Sequence, residues 1–202
     1  QLDLLGRNPV KMVSVKNIQR PEVKTLSRGK LQQLLQEAKS HFLYPAVLLL
    51  ATTGLRRSEV CGIKWSDINL DQGTIFIQRT VVKLGGYGIL IQDTKTIKSR
   101  RMIPISTLLL TVLRHYNETN GSQEYLFERP NGQPIFPESI YDCMKVLGKR
   151  IGVPELTVHM LRHTVASLLL EAGENPKIVQ ELLGHSSICI TMDIYSHVIP
   201  GM

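Results

Sequence analysis

The sequence predicts an α+β fold: a mainly helical single domain with a small antiparallel three-stranded sheet on one edge. Three observations carry this. A 3.6-residue apolar period with helix-type punctuation recurs on both sides of a central segment. Strand-like alternation is confined to Thr74–Ile105. A length of 202 residues with 43% apolar content is enough for one domain with a real core.

Residues 1–24 carry Pro9 and Pro21, scattered charge and no sustained period, and read as a linker leading into a domain over 25–202. The chain opens on Gln1 rather than Met, so a fragment of a longer protein is expected. Thr25–Ala38 reads as a helix with Ser27 as its cap and Leu31, Leu34 and Leu35 on the buried face. Pro45–Thr53 is almost wholly apolar and should be a central helix. Arg56 begins a short helix with Val60 and Ile63 inward, which places its guanidinium at the edge of a packed element. Glu59 lies one turn on, so a salt bridge is the plain structural role for Arg56; the acid can also orient the arginine for another task.

After the Asp71-Gln72-Gly73 turn, Thr74–Arg79, Ile89–Gln92 and Met102–Ile105 are the three expected strands. Lys95 falls in the loop before the last of them, among Lys98, Arg100 and Arg101, and taken alone this run reads as a solvated basic loop. Helices resume at Ser106–Asn117 and Pro137–Ile151, the latter with Ile140, Met144 and Leu147 inward. Between them stand the Asn120-Gly121 loop, a short buried run Tyr125–Phe127 and the Asn131-Gly132 turn.

The segment from Thr157 to His197 is the most densely punctuated. Val158, Leu161, Val165, Leu168, Leu169 and Ala172 share one helical face, while His159 and Arg162 share the neighbouring one. Gly173 suits a left-handed closing residue, and Asn175 with Pro176 supplies the cap and first position of the next helix. Ile178, Val179, Leu182 and Leu183 form its apolar stripe, and Gly184 ends it and delivers His185 at the turn. Tyr195 follows on a segment whose Ile190, Met192 and Ile194 do not decide between strand and helix.

Each histidine alone is more often a hydrogen-bonded structural residue than a functional one. His159 and His163 stand at i and i+4, a spacing found in zinc sites, but the zincin pattern needs Glu after the first histidine and this chain has Met160. A third reading takes Pro176 to Tyr195 as a DNA-reading helix-turn-helix.

Lys and Arg number 24 against 17 Asp and Glu, a formal charge of +7. With a pI near 9.4, this balance fits a polyanionic partner. Cys61, Cys143 and Cys189 are odd in number without paired spacing, which points to a reducing cytosol and not a disulfide framework. The longest uncharged run, Phe42–Leu55, is too short to span a membrane.

Taken together, five boxes stand in order. They are Arg56 with Glu59; Thr94-Lys95-Thr96 with Ser99, Arg100, Arg101, Ile103 and Pro104; His159, Leu161, Arg162 and His163; Leu183-Gly184-His185; and Tyr195 with His197. In this the chain resembles the catalytic domain of the tyrosine recombinases, the family of phage and transposon integrases and chromosome-dimer resolvases. The resemblance covers residues 53 to 197 and implies a DNA strand transferase that needs neither metal nor other cofactor. It implies Arg56 and Arg162 as a phosphate clamp, His185 as a further donor, Tyr195 as nucleophile, His159 as proton acceptor and Lys95 as the group that protonates the departing 5′ oxygen. Glu59 and His163 are implied as supporting residues, and Lys98, Arg100 and Arg101 as DNA contacts.

Residue chemistry agrees with those roles. A phosphodiester gathers charge on its non-bridging oxygens as a hydroxyl attacks, and a planar guanidinium donates to two oxygens without losing its charge. A phenol of ordinary pKa about 10 needs an acceptor or local positive charge. The resemblance further implies a duplex recombination site as partner, two protomers per site and four per synapse, and residence with the bacterial or archaeal nucleoid; the chain by itself, without the relatives' tail, is expected as a monomer. The resemblance also implies an upstream DNA-clamping domain and, in many relatives, a tail beyond the point where this chain stops at Met202. The competing expectation is a regulator that binds DNA through the helix-turn-helix-like tail without chemistry.

Overall fold

The computed structural model describes residues 24–85, 88–93, 100–120, 123–185, 187 and 188. Lys95, Lys98, Cys189, Tyr195 and His197 lie outside the described residues, so the expectations placed on them are not addressed by the fold.

Helix α1 spans Arg28–Ala38, later than Thr25, because Ser27 holds extended dihedrals and its hydroxyl accepts the Lys30 N–H, the geometry of a capping residue. Leu34 and Ala38 are buried, while Leu31 and Leu35 are half-buried against the core. α2, Tyr44–Thr53, is central as its composition predicts: Leu48, Leu49 and Leu50 are fully covered, and α1, α4 and α6 pack around it. α3, Arg57–Cys61, follows directly, with Arg56 as its cap.

The expected small antiparallel three-stranded sheet is present, but its members differ from those expected. β1 (Ile68–Asn69), β2 (Thr74–Ile77) and β5 (Arg101–Pro104) form an antiparallel sheet in the order β1-β2-β5, with Ile75 opposite Ile103. The segment expected as the middle strand belongs instead to β4 (Gly88–Asp93), which pairs with β3 (Arg79–Leu84) in a separate two-stranded sheet. The alternating run from Thr74 thus breaks at Gln78, whose amide donates to Asp67 Oδ1, while Arg79 bonds Asp67 Oδ2. A buried carboxylate draws two neighbouring side chains to itself, and the chain starts a new strand there.

α4 (Thr107–Asn120) and α5 (Pro137–Arg150) follow, and Ile140, Met144 and Leu147 of α5 are buried as expected. α6, Val158–Glu171, is covered on more than the one predicted face. Val158, Leu161 and Val165 are buried, but so are Met160, Thr164, Ala166, Ser167 and Leu170, whereas Leu168 and Leu169 are half-buried and Ala172 is exposed. The reason is that α6 lies between α2 and α7, and its Thr164 hydroxyl accepts the Leu26 N–H from the segment before α1.

α7, Pro176–Leu183, has the predicted Asn175 cap, whose side chain accepts the Lys177 N–H. Its inward stripe is Val179, Gln180 and Leu183, with Ile178 exposed. Val179 and Leu183 meet Ala166 and Leu170 in a small apolar cluster that joins α7 to α6. No described helix is long and apolar enough to cross a membrane.

Candidate active site

The site is built on the C-terminal end of α7. A helix leaves its last four carbonyls without intrahelical donors, and the aligned peptide dipoles place partial negative charge there. Here every one of those acceptors is accounted for. Gln180 O takes the N–H groups of Gly184 and His185, and Glu181 O takes a second bond from Gly184. The next three carbonyls each meet a different guanidinium. Leu182 O accepts from Arg101 Nε at 2.8 Å, Leu183 O from Arg162 Nη2 at 2.8 Å, and Gly184 O from Arg56 Nη2 at 3.0 Å.

These arginines come from three separate elements: the cap of α3, the first residue of β5 and the first turns of α6. Arg162 is held most deeply. It is 5% exposed, and its Nη1 also reaches Gly54 O at 2.8 Å. Gly54 closes α2 in the left-handed region with φ 64°, and a Cβ there would meet Leu183 Cδ2 at 2.7 Å. A side chain at this position would be strained by conformation and by space at once. Gly184 is the second such position: at φ 68°, a Cβ would stand 2.7 Å from Arg101 Nη1.

Arg56 is the most accessible of the three, with 39% of its side chain exposed, and it reaches Glu59 Oε1 at 2.9 Å through Nη1. Its own backbone N–H donates to Glu59 Oε2 at 2.9 Å, so the acid both caps α3 and fixes the guanidinium. The expected Arg56–Glu59 bridge is therefore present. Glu59 is 1% exposed and has a second partner that the sequence did not suggest, since Arg101 Nη1 and Nη2 each lie 3.0 Å from one of its oxygens.

Arg101 thus corrects one expectation. Its side chain is 8% exposed and turned inward onto Glu59 and Leu182 O, not outward as a DNA contact. Arg100 beside it is exposed and bridges Asp93 Oδ2 at 3.0 Å. The signal that could have singled out Arg101 is the burial implied for an acid one turn inside a packed helix, because such a carboxylate needs more compensation than one partly exposed arginine supplies.

His185 follows Gly184. Its backbone is pinned from both sides, the N–H to Gln180 O at 3.1 Å and the carbonyl accepting Gln180 Nε2 at 2.9 Å. Gln180 was not anticipated as a site residue. Burial first, then the positive charges of Arg162 and Arg56, lower the His185 pKa to about 4, so the imidazole is neutral at physiological pH. His159 projects from the first turn of α6 and is exposed, with its ring 6.3 Å from that of His163 in an edge-on arrangement. Desolvation and then the charges of Arg162, Arg56 and Arg57 lower its pKa as well, and His163 shifts the same way from burial, His159 and Arg162. Among the described residues no group of three His, Cys, Asp or Glu side chains is placed to hold a metal ion.

The fold therefore brings together Arg56, Glu59, Arg101, Arg162 and His185, with His159 and His163 on the adjoining turn of α6. Three guanidiniums are offset by one carboxylate, and the surplus positive charge lies beside three imidazoles whose pKa values are all lowered. Such a constellation can receive an anion with fixed donors and can accept a proton on a histidine.

Comparison with known proteins points the same way. The sequence pattern of the phage integrase family matches residues 24–201. The chain is similar to the tyrosine recombinase XerC-like protein of Caldanaerobacter subterraneus, at 33% identity over 89% of this chain and 51% of that protein. It is similar in structure to the Tn1549 transposon integrase in complex with transposon right end DNA, with TM-score 0.78, 25% identity, and coverage of 90% of this chain and 64% of the other. XerA recombinase gives TM-score 0.72 at 28% identity, covering 90% of this chain and 62% of the other. The chain spans about half the length of the curated relatives it matches.

Proposed function

The chain belongs to the phage integrase family, and from that premise we propose that it is the catalytic domain, over 25–202 after a linker at 1–24, of a site-specific DNA recombinase. One observation carries the reading most directly: Arg56, Arg162 and His185, drawn from distant parts of the sequence, meet at one helix end with charge to spare.

In this reading Arg56 and Arg162 receive the non-bridging oxygens of one phosphodiester, and His185 adds a further hydrogen bond. Tyr195 attacks phosphorus through its phenol oxygen, forming the phosphotyrosyl bond as the bond to the 5′ oxygen breaks. His159 takes the phenolic proton, a role supported by its lowered pKa, which leaves the imidazole free to accept. Lys95 gives a proton to the departing 5′ oxygen. The product is a 3′-phosphotyrosyl enzyme with a free 5′ hydroxyl, and attack by the 5′ hydroxyl of another strand reverses the step without ATP or metal.

Each charge-assisted hydrogen bond to the phosphate contributes roughly 1.5–3 kcal/mol, most of it useful where charge peaks in the transition state. His163 supports His159 from the next turn of α6, and the exposed Arg100, with Lys98, contacts the DNA backbone. The proposed partner is a duplex recombination site bound by two protomers, with four in the synapse and a monomer off DNA, in the bacterial or archaeal nucleoid. A regulator without chemistry is not favoured, because the similar proteins of known structure are integrases and recombinases.

The test is covalent trapping on a library of nicked duplexes with a randomised central sequence, resolved on a denaturing gel. An adduct that survives chelator and is absent with Tyr195→Phe is the expected result. Retention of duplex DNA with no adduct from any member of the library would favour the regulator.

A further inference from the structure

Among the cations gathered at the end of α7, Arg101 has no place in the chemistry above, and its burial keeps it from the DNA surface. It is nonetheless engaged through its whole guanidinium. Its fork meets both oxygens of Glu59 and its Nε meets Leu182 O, and these bonds tie β5 to α3 and α7. Arg56, by contrast, gives Glu59 one side-chain bond and one backbone bond.

We propose that Arg101 is a positioning residue for the phosphate clamp: by sharing both oxygens of Glu59 with Arg56 and bonding the Leu182 carbonyl, it offsets the acid's charge so that Arg56 keeps a surplus for the phosphate, and it holds the end of α7 that carries His185. The inference rests on the strand-transfer reading above.

Three observations support it. Glu59 is almost fully covered, and a buried carboxylate demands full compensation. Burial pushes the Glu59 carboxyl up, and the bonds and charge of Arg101, ahead of those of Arg56, bring it below its ordinary value. The backbone of Gly184 leaves room for the Arg101 guanidinium that any larger residue would fill. Without Arg101, Glu59 would face Arg56 alone, and a buried carboxylate with a single guanidinium partner would draw that partner inward and cancel its charge.

The experiment compares Arg101→Gln, Arg101→Lys and the double variant Arg101→Gln with Glu59→Gln against the unaltered chain. Two readouts are taken: the single-turnover rate of adduct formation at saturating protein on a nicked duplex recovered from the library, and the affinity for inorganic phosphate followed through the His185 ring resonances. Arg101→Gln should slow adduct formation about a hundredfold, as loss of a preorganised charge does, with duplex affinity within about threefold because other phosphate contacts remain. Phosphate affinity should fall about tenfold, which corresponds to loss of one well-placed charge. The double variant should recover at least about tenfold of the lost rate, since Arg56 regains its charge once the acid is gone.

A purely structural tether predicts no such recovery, because Leu182 O stays unbonded in both variants. Folding is checked by thermal unfolding; if Arg101→Gln does not fold, Arg101→Lys is read instead and should lose about tenfold in rate, as a point charge cannot reproduce the fork. A folded Arg101→Gln, or failing that Arg101→Lys, that reacts within about threefold of the unaltered chain overturns the proposal, and so does a double variant no faster than the single one. If the unaltered chain forms no adduct at all, the strand-transfer reading falls, and the phosphate titration alone decides the role of Arg101.

Discussion

The end of α7 and the β3–β4 hairpin are built on opposite plans. At α7, side chains from α3, β5 and α6 converge on three successive carbonyls and one carboxylate, joining residues as far as 128 positions apart. The hairpin is a two-stranded sheet of its own. Its root is buried at Val81, but Val82, Leu84, Leu90 and Ile91 are exposed. The first region fixes charges from several directions, and the second is held mainly by bonds between neighbours in sequence. On the proposed reading a guanidinium must meet a phosphate at one angle and needs distant anchors; a strand pair needs only its own register.

The strongest way to break this contrast is to remove the deepest anchor. Arg162→Ala leaves Gly54 O and Leu183 O without their donor and takes one charge from the clamp. Adduct formation should fall about a thousandfold, while duplex affinity stays within about tenfold because many contacts share the binding. Denaturant unfolding should show a loss of about 2–4 kcal/mol from the unsatisfied buried carbonyls. Adduct yield and affinity falling together would mean that Arg162 serves binding and not the chemical step.

A milder perturbation is acid. His185 titrates near 6.5 in the unfolded chain and at about 4 in the folded one. Between those values the unfolded chain binds a proton that the folded chain refuses, so the stabilisation is full above the upper value and is lost as pH falls toward the lower. Allowing for partial exposure, the loss is about 2 kcal/mol, with His159 and His163 shifting in the same direction. Thermal unfolding at pH 7.5 and 4.5 (values chosen to bracket about 6.5) should show the drop, and His185→Gln should flatten it. An unchanged midpoint difference in that variant would remove His185 as the source.

The smallest effect belongs to the hairpin. Thr in place of Val82 and its cross-strand partner Leu90 should cost no more than about 0.5 kcal/mol each, as at other exposed positions. Amide hydrogens of β3 beyond Val81 should exchange well before those of α2 and α6. Protection equal to that of α2 would erase the difference between the two regions.

How far the sequence could be read follows the same division. Ser27, Asn175, Pro176 and Gly184 announce helix ends because capping is a local affair of side chains, missing N–H groups and positive φ. The burial of most of α2 follows from its composition. The β pairing is not legible because alternation says that a strand exists and not which strand it meets. The buried faces of α6 and α7 were only partly legible, since period counts do not reveal a helix packed from two sides or a glutamine turned inward to hold a histidine. Of the candidate site, the residue types and their order were legible, and the inward turn of Arg101 was not.

The sequence by itself determined the helical and strand segments, most of their ends, and which chemical groups are available in which order, because these rest on bonds and periods spanning a few residues. Only the tertiary structure decided that three guanidiniums share one helix end and that Arg101, not Arg56 alone, answers the charge of Glu59. Those arrangements depend on the desolvation of one carboxylate and the free carbonyls of α7, which come into being only when α3, β5 and α6 pack together.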